Sequence, residues 1–160
     1  MNEIQRMMQS LAQRFIEIFD LGLKQPLKPI KVEIDPFVAP LYAGRIPIRG
    51  EGIDGWLILE TDQKFLHETH PERRYGADLE GNDYLDWVTE IVNRTLAGTK
   101  PAILDMGWAL RLEQPQALQG QLDQETPSPL EASQMLESMG FYAKLSIKFS
   151  KLEVPARMVG

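Results

Sequence analysis

The segment Phe141–Lys151 limits the fold most strongly, because its residues alternate in polarity along its whole length. Phe141, Ala143, Leu145, Ile147 and Phe149 fall on one side, and Tyr142, Lys144, Ser146, Lys148 and Ser150 fall on the other. A period of two is the side-chain period of a β-strand, and one apolar and one polar face are typical of an antiparallel sheet that is covered on one side. The segment therefore predicts a long, half-buried strand.

Further strands are predicted from the same alternation. They are Ile30–Pro36, Leu41–Arg49, Ile53–Glu60 and Gly107–Glu113. The turn Gly50-Glu51-Gly52 joins two of them into a hairpin, so this part of the sheet is an antiparallel meander. Pro47 cannot donate a ladder hydrogen bond, which predicts an edge or a bulge in its strand.

Apolar residues at three- and four-residue intervals predict helices elsewhere. An amphipathic helix begins near Ile4 and ends near Gly22, and Thr61 or Asp62 caps a short helix through Gln63–His70. A capping-box spacing at Ser128-Pro129-Leu130-Glu131 predicts a further helix to Met139. The stretches Pro71–Asn82 and Gln116–Pro127 are interpreted as loops, the second one alternatively as an irregular hairpin.

The segment Asp83–Gly98 predicts a central amphipathic helix with polar residues that could carry chemistry. At about 100° per residue, its apolar residues gather on one side, whereas Asp86, Glu90 and Asn93 fall within roughly 60° of one another on the opposite side. Two carboxylates and an amide thus share an exposed stripe. The helix is predicted to weaken at Gly98 and to kink or restart at Pro101.

Composition excludes several classes of protein. A chain of 160 residues with 43% hydrophobic residues fits a single domain, residues 1–160. A net charge of −6 argues against nucleic acid as a partner, and the absence of cysteine excludes disulfides and cysteine-ligated metals. The N-terminal residues lack a continuous apolar core, which predicts neither a signal peptide nor a membrane span and favours a cytoplasmic protein.

The familiar catalytic motifs are absent. The sequence contains no GxxxxGK[ST], no GxGxxG and no GxSxG. His67 and His70 have a spacing that two metal ligands on one helix face would have, but two ligands beside a proline are interpreted as a solvated helix end. We therefore predict no metal site and no cofactor bound by the chain itself.

The stripe resembles the signature of the CheC/CheX/FliY family. The pattern Asp86-x3-Glu90-x2-Asn93, followed by Pro115, and the segment EIVNRTLAG carry this resemblance, which extends over most of the chain. Only one E-x-x-N pair is present, so the sequence is most similar to CheX. Arg94 stands where an apolar residue is usual in the family and Ala97 where glycine is usual, and Pro115 comes one residue early.

The resemblance implies a fold, an activity and partners. The fold is α+β, with an antiparallel or mixed sheet and helices packed on one face. The activity is hydrolysis of the aspartyl phosphate of a response regulator in bacterial chemotaxis or a related two-component pathway. The partner is a phosphorylated CheY-like receiver, which supplies its own Mg²⁺ and lysine. A homodimer formed by sheets joined edge to edge is also implied, with Phe141–Lys151 as a candidate edge.

Within this family interpretation, Glu90 and Asn93 are the candidate catalytic residues. The Asn93 amide can hold a water in line with the phosphorus, and Glu90, one turn away, can pair with the receiver lysine. Asp86, Trp87 and Ala97 have supporting roles in docking. Two alternatives stay open: an adaptor of the same fold that docks a receiver without hydrolysis, and a structural domain in which Glu90 and Asn93 are ordinary surface residues.

Overall fold

The structure is a computed structural model that describes residues 2–76, 78–111, 113–122 and 130–155, without the side chain of Arg74. Within these ranges the chain forms three α-helices and six strands. In chain order they are α1 (Glu3–Ile18), β1 (Lys28–Ile30), β2 (Leu41–Gly50), β3 (Ile53–Asp62), α2 (Gln63–Thr69), a 3₁₀ helix (Pro71–Tyr75), α3 (Gly81–Asp105), β4 (Gln116–Gln119), β5 (Glu131–Ser138) and β6 (Phe141–Leu152).

The six strands form one sheet in the order β1-β5-β6-β3-β2-β4, and every neighbouring pair is antiparallel. The predicted hairpin is present, with β2 and β3 in register along their full lengths. Pro47 lies beyond the residues of β2 that pair with β4, so the predicted edge at this proline is confirmed. The predicted α+β class is confirmed as well, with a purely antiparallel sheet.

The core lies between one face of the sheet and the helices. Leu57 and Leu59 of β3 and Leu145 and Ile147 of β6 have no exposed surface. The residues between them point to the opposite face of the sheet. Helix α1 buries its apolar face here, including Met7, Leu11 and Phe15, and α3 contributes Val88, Ile91 and Val92. The helices therefore cover one face, as expected from the alternation in β6.

Helix α3 packs directly on β2 at Gly44. A Cβ at this position would overlap Val88 Cγ1, so the missing side chain is what allows the helix to approach the strand. Helix α1 lies beside α3, where the Arg14 side chain covers Gly98. These two glycines fix the position of α3, the helix that carries the stripe.

Helix α3 continues through Gly98, where it was predicted to weaken, and includes Pro101 in its last turns. The predicted restart at Pro101 was wrong, because the lost N–H of this proline affects only the carbonyl of Ala97, which lies on the exposed side. On the buried side the helix keeps its backbone bonds, and Thr95 and Thr99 donate hydroxyl hydrogen bonds to the carbonyls of Ile91 and Thr95.

Two predicted strands are wrong in extent. Of Ile30–Pro36 only Ile30 belongs to a strand, because β1 ends where its pairing with Met135 ends; Ile34 is 83% exposed. The described residues of the segment Gly107–Glu113, which exclude residue 112, form an isolated bridge between Leu110 and Gly50 and no longer strand. Trp108 is buried in this extended segment and donates an indole hydrogen bond to the Glu153 carbonyl.

The predicted helix over Ser128–Met139 is also wrong, because residues 131–138 form β5. Ser128 and Pro129, which suggested the helix start, lie outside the described residues. The predicted loop Gln116–Pro127 begins with the short strand β4, and its residues from 123 onward are likewise outside the described ranges.

Strand β6 lies inside the sheet between β5 and β3, so it offers no open edge. The prediction that this strand joins two subunits is therefore wrong, and the terminal positions of the sheet belong to the short strands β1 and β4. Within the described part of the chain, no helix combines the length and apolar character needed to cross a bilayer.

Candidate functional site

The predicted stripe lies on the exposed side of α3. Asp86, Glu90, Asn93 and Ala97 are all exposed, whereas the opposite side of the helix is buried in the core. The helix begins after Glu80, whose backbone N–H donates to Asp83 Oδ2 at 2.8 Å. The pattern of charges and apolar residues thus predicted the exposed side correctly, and the stripe extends by one further turn to Ala97.

A groove of about 470 Å³ runs along the stripe. It is lined by Asp86, Thr89, Glu90, Asn93, Glu113, Gln114 and Pro115. The chain leaves α3, passes the end of β2, where Leu110 forms a bridge with Gly50, and returns alongside the helix just before β4. The structure thereby brings Pro115 beside Glu90 and Asn93, although these residues are more than twenty positions apart in sequence.

Glu90 is paired within its own helix. Arg94 Nη2 donates a hydrogen bond to Glu90 Oε1, one turn along α3. The guanidinium carbon of Arg94 lies 5.7 Å from the centre of the Trp87 ring, a distance typical of a cation–π contact. The Glu90 carboxylate therefore already holds one cation at the edge of the groove.

Asn93 differs from Glu90, because its side chain makes no hydrogen bond with any residue in the described ranges. Its amide lines the groove and is exposed. An amide offers two N–H donors and a carbonyl acceptor, so it can hold a water by donating and accepting at once. Asn93 is thus available to orient a water or a polar group of a partner.

Trp87 does not flank the stripe as an exposed side chain, so its predicted part in direct docking is corrected. It is 3% exposed, and its Nε1 donates to Thr69 Oγ1 at 3.0 Å. The indole packs edge-on against Phe19, with ring centres 6.2 Å apart. A position about 100° from Asp86 lies at the boundary of the buried side, and the large apolar ring turns inward.

The groove is acidic on both walls. Asp86 and Glu90 stand on α3, and Glu113 faces them from the returning segment, where Arg49 Nη1 lies 4.0 Å from its Oε1. Thr89, Glu113 and Gln114 were not predicted as site residues. The available signal for Glu113 and Gln114 was their position directly before Pro115 in the sequence. For Thr89 it was the proximity to Asp86 and Glu90 along the helix. The walls present carboxylates and amides, which suit a partner that brings a cation.

Each of the two histidines makes a hydrogen-bond contact within its own part of the fold. His67 Nδ1 lies 3.0 Å from the Tyr84 hydroxyl, and His70 Nδ1 accepts a hydrogen bond from the Glu72 backbone N–H at the start of the 3₁₀ helix. Within the described ranges, no three histidine or acidic side chains are grouped in a way that could hold a metal ion. Helix N-capping therefore accounts for His70, and a buried tyrosine contact accounts for His67.

The fold is that of the CheX and CheC-like chemotaxis proteins. No protein-family model matches the sequence, and no curated protein matches it either. Solved structures match over nearly the whole chain, which confirms the predicted resemblance at the level of the fold.

Chemotaxis protein CheX from Vibrio vulnificus is 18% identical, with a TM-score of 0.73 over 91% of this chain and 99% of that one. A CheC-like superfamily protein from Shewanella sp. PV-4 is also 18% identical, with a TM-score of 0.74 over 94% and 99%. The CheX–CheY–BeF₃–Mg²⁺ complex from Borrelia burgdorferi matches with 10% identity and a TM-score of 0.63 over 92% and 97%. At these identities the similarity establishes the fold only.

Proposed function

We propose that the chain hydrolyses the aspartyl phosphate of a CheY-like response regulator, in chemotaxis or a related two-component pathway. The observation that carries this proposal is the exposed pair of Glu90 and Asn93 beside a groove that also contains Pro115. The CheX–CheY complex from Borrelia burgdorferi, which has the same fold, supports a receiver as the partner.

In the proposed reaction, water is the nucleophile. An acyl phosphate is already activated, and the receiver supplies the Mg²⁺ and the lysine that neutralise charge on the phosphoryl group. Water attacks phosphorus, the bond between phosphorus and the aspartyl oxygen breaks, and inorganic phosphate leaves with both hydrogens of the water. What a phosphatase adds is the position of that water, and the Asn93 amide, which has no hydrogen bond to any described residue, supplies it.

Glu90 has the complementary role of anchoring the receiver. Its carboxylate borders the groove one turn from Asn93 and can accept a charge-assisted hydrogen bond from the receiver lysine. Asp86 extends the acidic wall by one more turn and attracts the same basic partner. Ala97 ends the stripe with a small side chain, which leaves room above the helix. The proposed chemistry places the protein in the cytoplasm, where receivers act.

The second candidate is an adaptor that docks a receiver without hydrolysis. The pairing of Glu90 with Arg94 favours it, because a carboxylate that already holds a cation is less available to the receiver. The two candidates share a docking surface and differ only in whether the phosphate is lost faster.

The test uses CheY-like receivers of the same organism, charged with acetyl phosphate and then freed of the donor. We expect the protein to accelerate loss of the phosphate from one of them, and we expect Asn93→Ala to slow the catalysed loss about a hundredfold with binding retained. Gln9→Ala is the matched control, because Gln9 is an exposed amide on helix α1 and does not line the groove. Binding without faster loss of phosphate would support the adaptor.

A further inference from the structure

The Arg94 side chain is held at two points although it is exposed. Its Nη2 donates to Glu90 Oε1, and its guanidinium carbon lies 5.7 Å from the Trp87 ring centre. Trp87 is itself fixed by its hydrogen bond to Thr69. Arg94 and Glu90 are each 48% exposed. The arginine therefore has a defined place on α3, directly beside the groove.

The Arg94 guanidinium thus lies against Glu90, the carboxylate that the proposed function requires. Glu90 lines the groove together with Asn93, whereas Arg94 is not part of the groove wall. The arginine thus binds Glu90 from outside the groove, on the side of Trp87. A cation that arrives from the groove meets a carboxylate whose charge is already compensated.

We infer that Arg94 is a specificity-determining residue, whose guanidinium occupies Glu90 until the lysine of a docking receiver replaces it. This inference rests on the proposed function and adds a step of cation exchange to it. Receivers whose lysine reaches Glu90 with good geometry displace the arginine, and receivers whose lysine reaches it poorly are rejected.

The expected change in receiver affinity follows from the solvent exposure of the Arg94–Glu90 ion pair. Exposed ion pairs one helical turn apart change an equilibrium constant by only about twofold. Removal of Arg94 also removes a positive charge from the path of the receiver lysine, so we expect affinity to rise about two- to fivefold in total. A change of this size redistributes binding among similar receivers without abolishing it.

The experiment measures dissociation constants for a panel of CheY-like receiver domains held in the BeF₃–Mg²⁺ form. Arg94→Met removes the charge but keeps a long side chain over Trp87, and methionine is as good a helix former as arginine. Arg94→Lys restores the charge. Arg6→Met is the matched control, because it makes the same change on the exposed side of α1, away from the groove.

We expect Arg94→Met to tighten binding two- to fivefold, Arg94→Lys to bind within about twofold of the natural protein, and Arg6→Met to have no effect. In the Glu90→Gln background, Arg94→Met should tighten binding less, because the exchange at Glu90 is gone and only the effect of the removed charge remains. Two results overturn the inference and leave the proposed function standing: weaker binding by Arg94→Met, or a gain of the same size with and without Glu90. Failure of every receiver to bind overturns both.

Discussion

The Trp87 indole nitrogen donates a hydrogen bond to the Thr69 hydroxyl at 3.0 Å, and this bond joins the site helix α3 to the end of α2. Both side chains are buried. Thr69 in turn donates to the Phe65 carbonyl at 2.9 Å, so the hydroxyl is both donor and acceptor. The helix that carries the stripe is therefore held by a polar contact as well as by apolar packing.

Replacement of Thr69 by valine removes the acceptor and leaves the Trp87 N–H buried without a partner. A buried donor of this kind costs about 1–3 kcal/mol, and we expect the free energy of unfolding in urea to fall by that amount. In the Trp87→Phe background the same change should cost less, because no N–H remains to be satisfied. Equal costs in both backgrounds would show that the bond does not stabilise the fold.

Replacement of Gly44 by alanine should push α3 away from β2. The added methyl overlaps Val88 Cγ1, and overpacking of this kind costs about 1–3 kcal/mol. Urea unfolding measures the cost, and Val88→Ala should relieve most of the additional strain in the double variant. Gly81→Ala is the matched control, because a Cβ there meets no atom within 4 Å; we expect its effect to stay within about 0.5 kcal/mol.

Alkaline pH should destabilise the protein through Tyr84. Burial raises the pKa of this phenol above its ordinary value of 10.0, and the negative charges of ionised Tyr42 and Asp83 raise the pKa further. The folded state therefore keeps the proton to higher pH than the unfolded state does. This contribution to stability is complete below pH about 10 and is lost as the pH rises through the folded-state pKa.

Urea unfolding at a series of pH values from 8 to 11 measures this loss. Tyr84→Phe should flatten the decline, although it also removes the hydrogen-bond contact with His67 and lowers stability at pH 8 by about 1 kcal/mol. Tyr75→Phe should leave the decline unchanged, because Tyr75 is 82% exposed. An equally steep decline in the Tyr84 variant would assign the alkaline loss to other groups.

Glu90→Gln and Asn93→Ala should leave stability almost unchanged. Both side chains are exposed, and substitutions at such positions usually change the free energy of unfolding by less than about 0.5 kcal/mol. Ile91→Ala, on the buried side of the same helix, should cost about 2–5 kcal/mol. Thermal and urea unfolding of the three variants compare these costs, and a large loss in Glu90→Gln would make its effect on docking uninterpretable.

The elements that could be predicted from the sequence are those in which apolar residues recur at a regular helix or strand period. Buried polar residues do not disturb that period in these elements. Helix α1, the β2–β3 hairpin, α2 and β6 have regular patterns, and the structure contains all of them. Strand β5 was missed because two of its inward positions are polar. Gln134 and Ser138 are satisfied there by the backbone carbonyls of Ile30 and Gln25, which are distant in sequence. Only the tertiary pairing makes these residues acceptable in a strand.

The candidate site was predictable in part for the same reason. The stripe follows from helical spacing alone, so Asp86, Glu90 and Asn93 were placed correctly on the exposed side. The opposite wall could not be derived from local pattern, because Glu113 and Gln114 reach the groove only through the return of the chain after α3. The inward turn of Trp87 likewise depends on Thr69, which lies in another helix.

Pro101 lies inside α3 and has no N–H, so the carbonyl oxygen of Ala97 loses its usual donor four residues further on. Ala97 is the last residue of the stripe and is exposed. A main-chain acceptor without its helical donor thus lies on an exposed residue one turn beyond Asn93. Because it belongs to the backbone, no change of the side chain at residue 97 removes this acceptor. Replacement of Ala97 by glycine therefore keeps the acceptor, although glycine is a poorer helix former than alanine by about 1 kcal/mol.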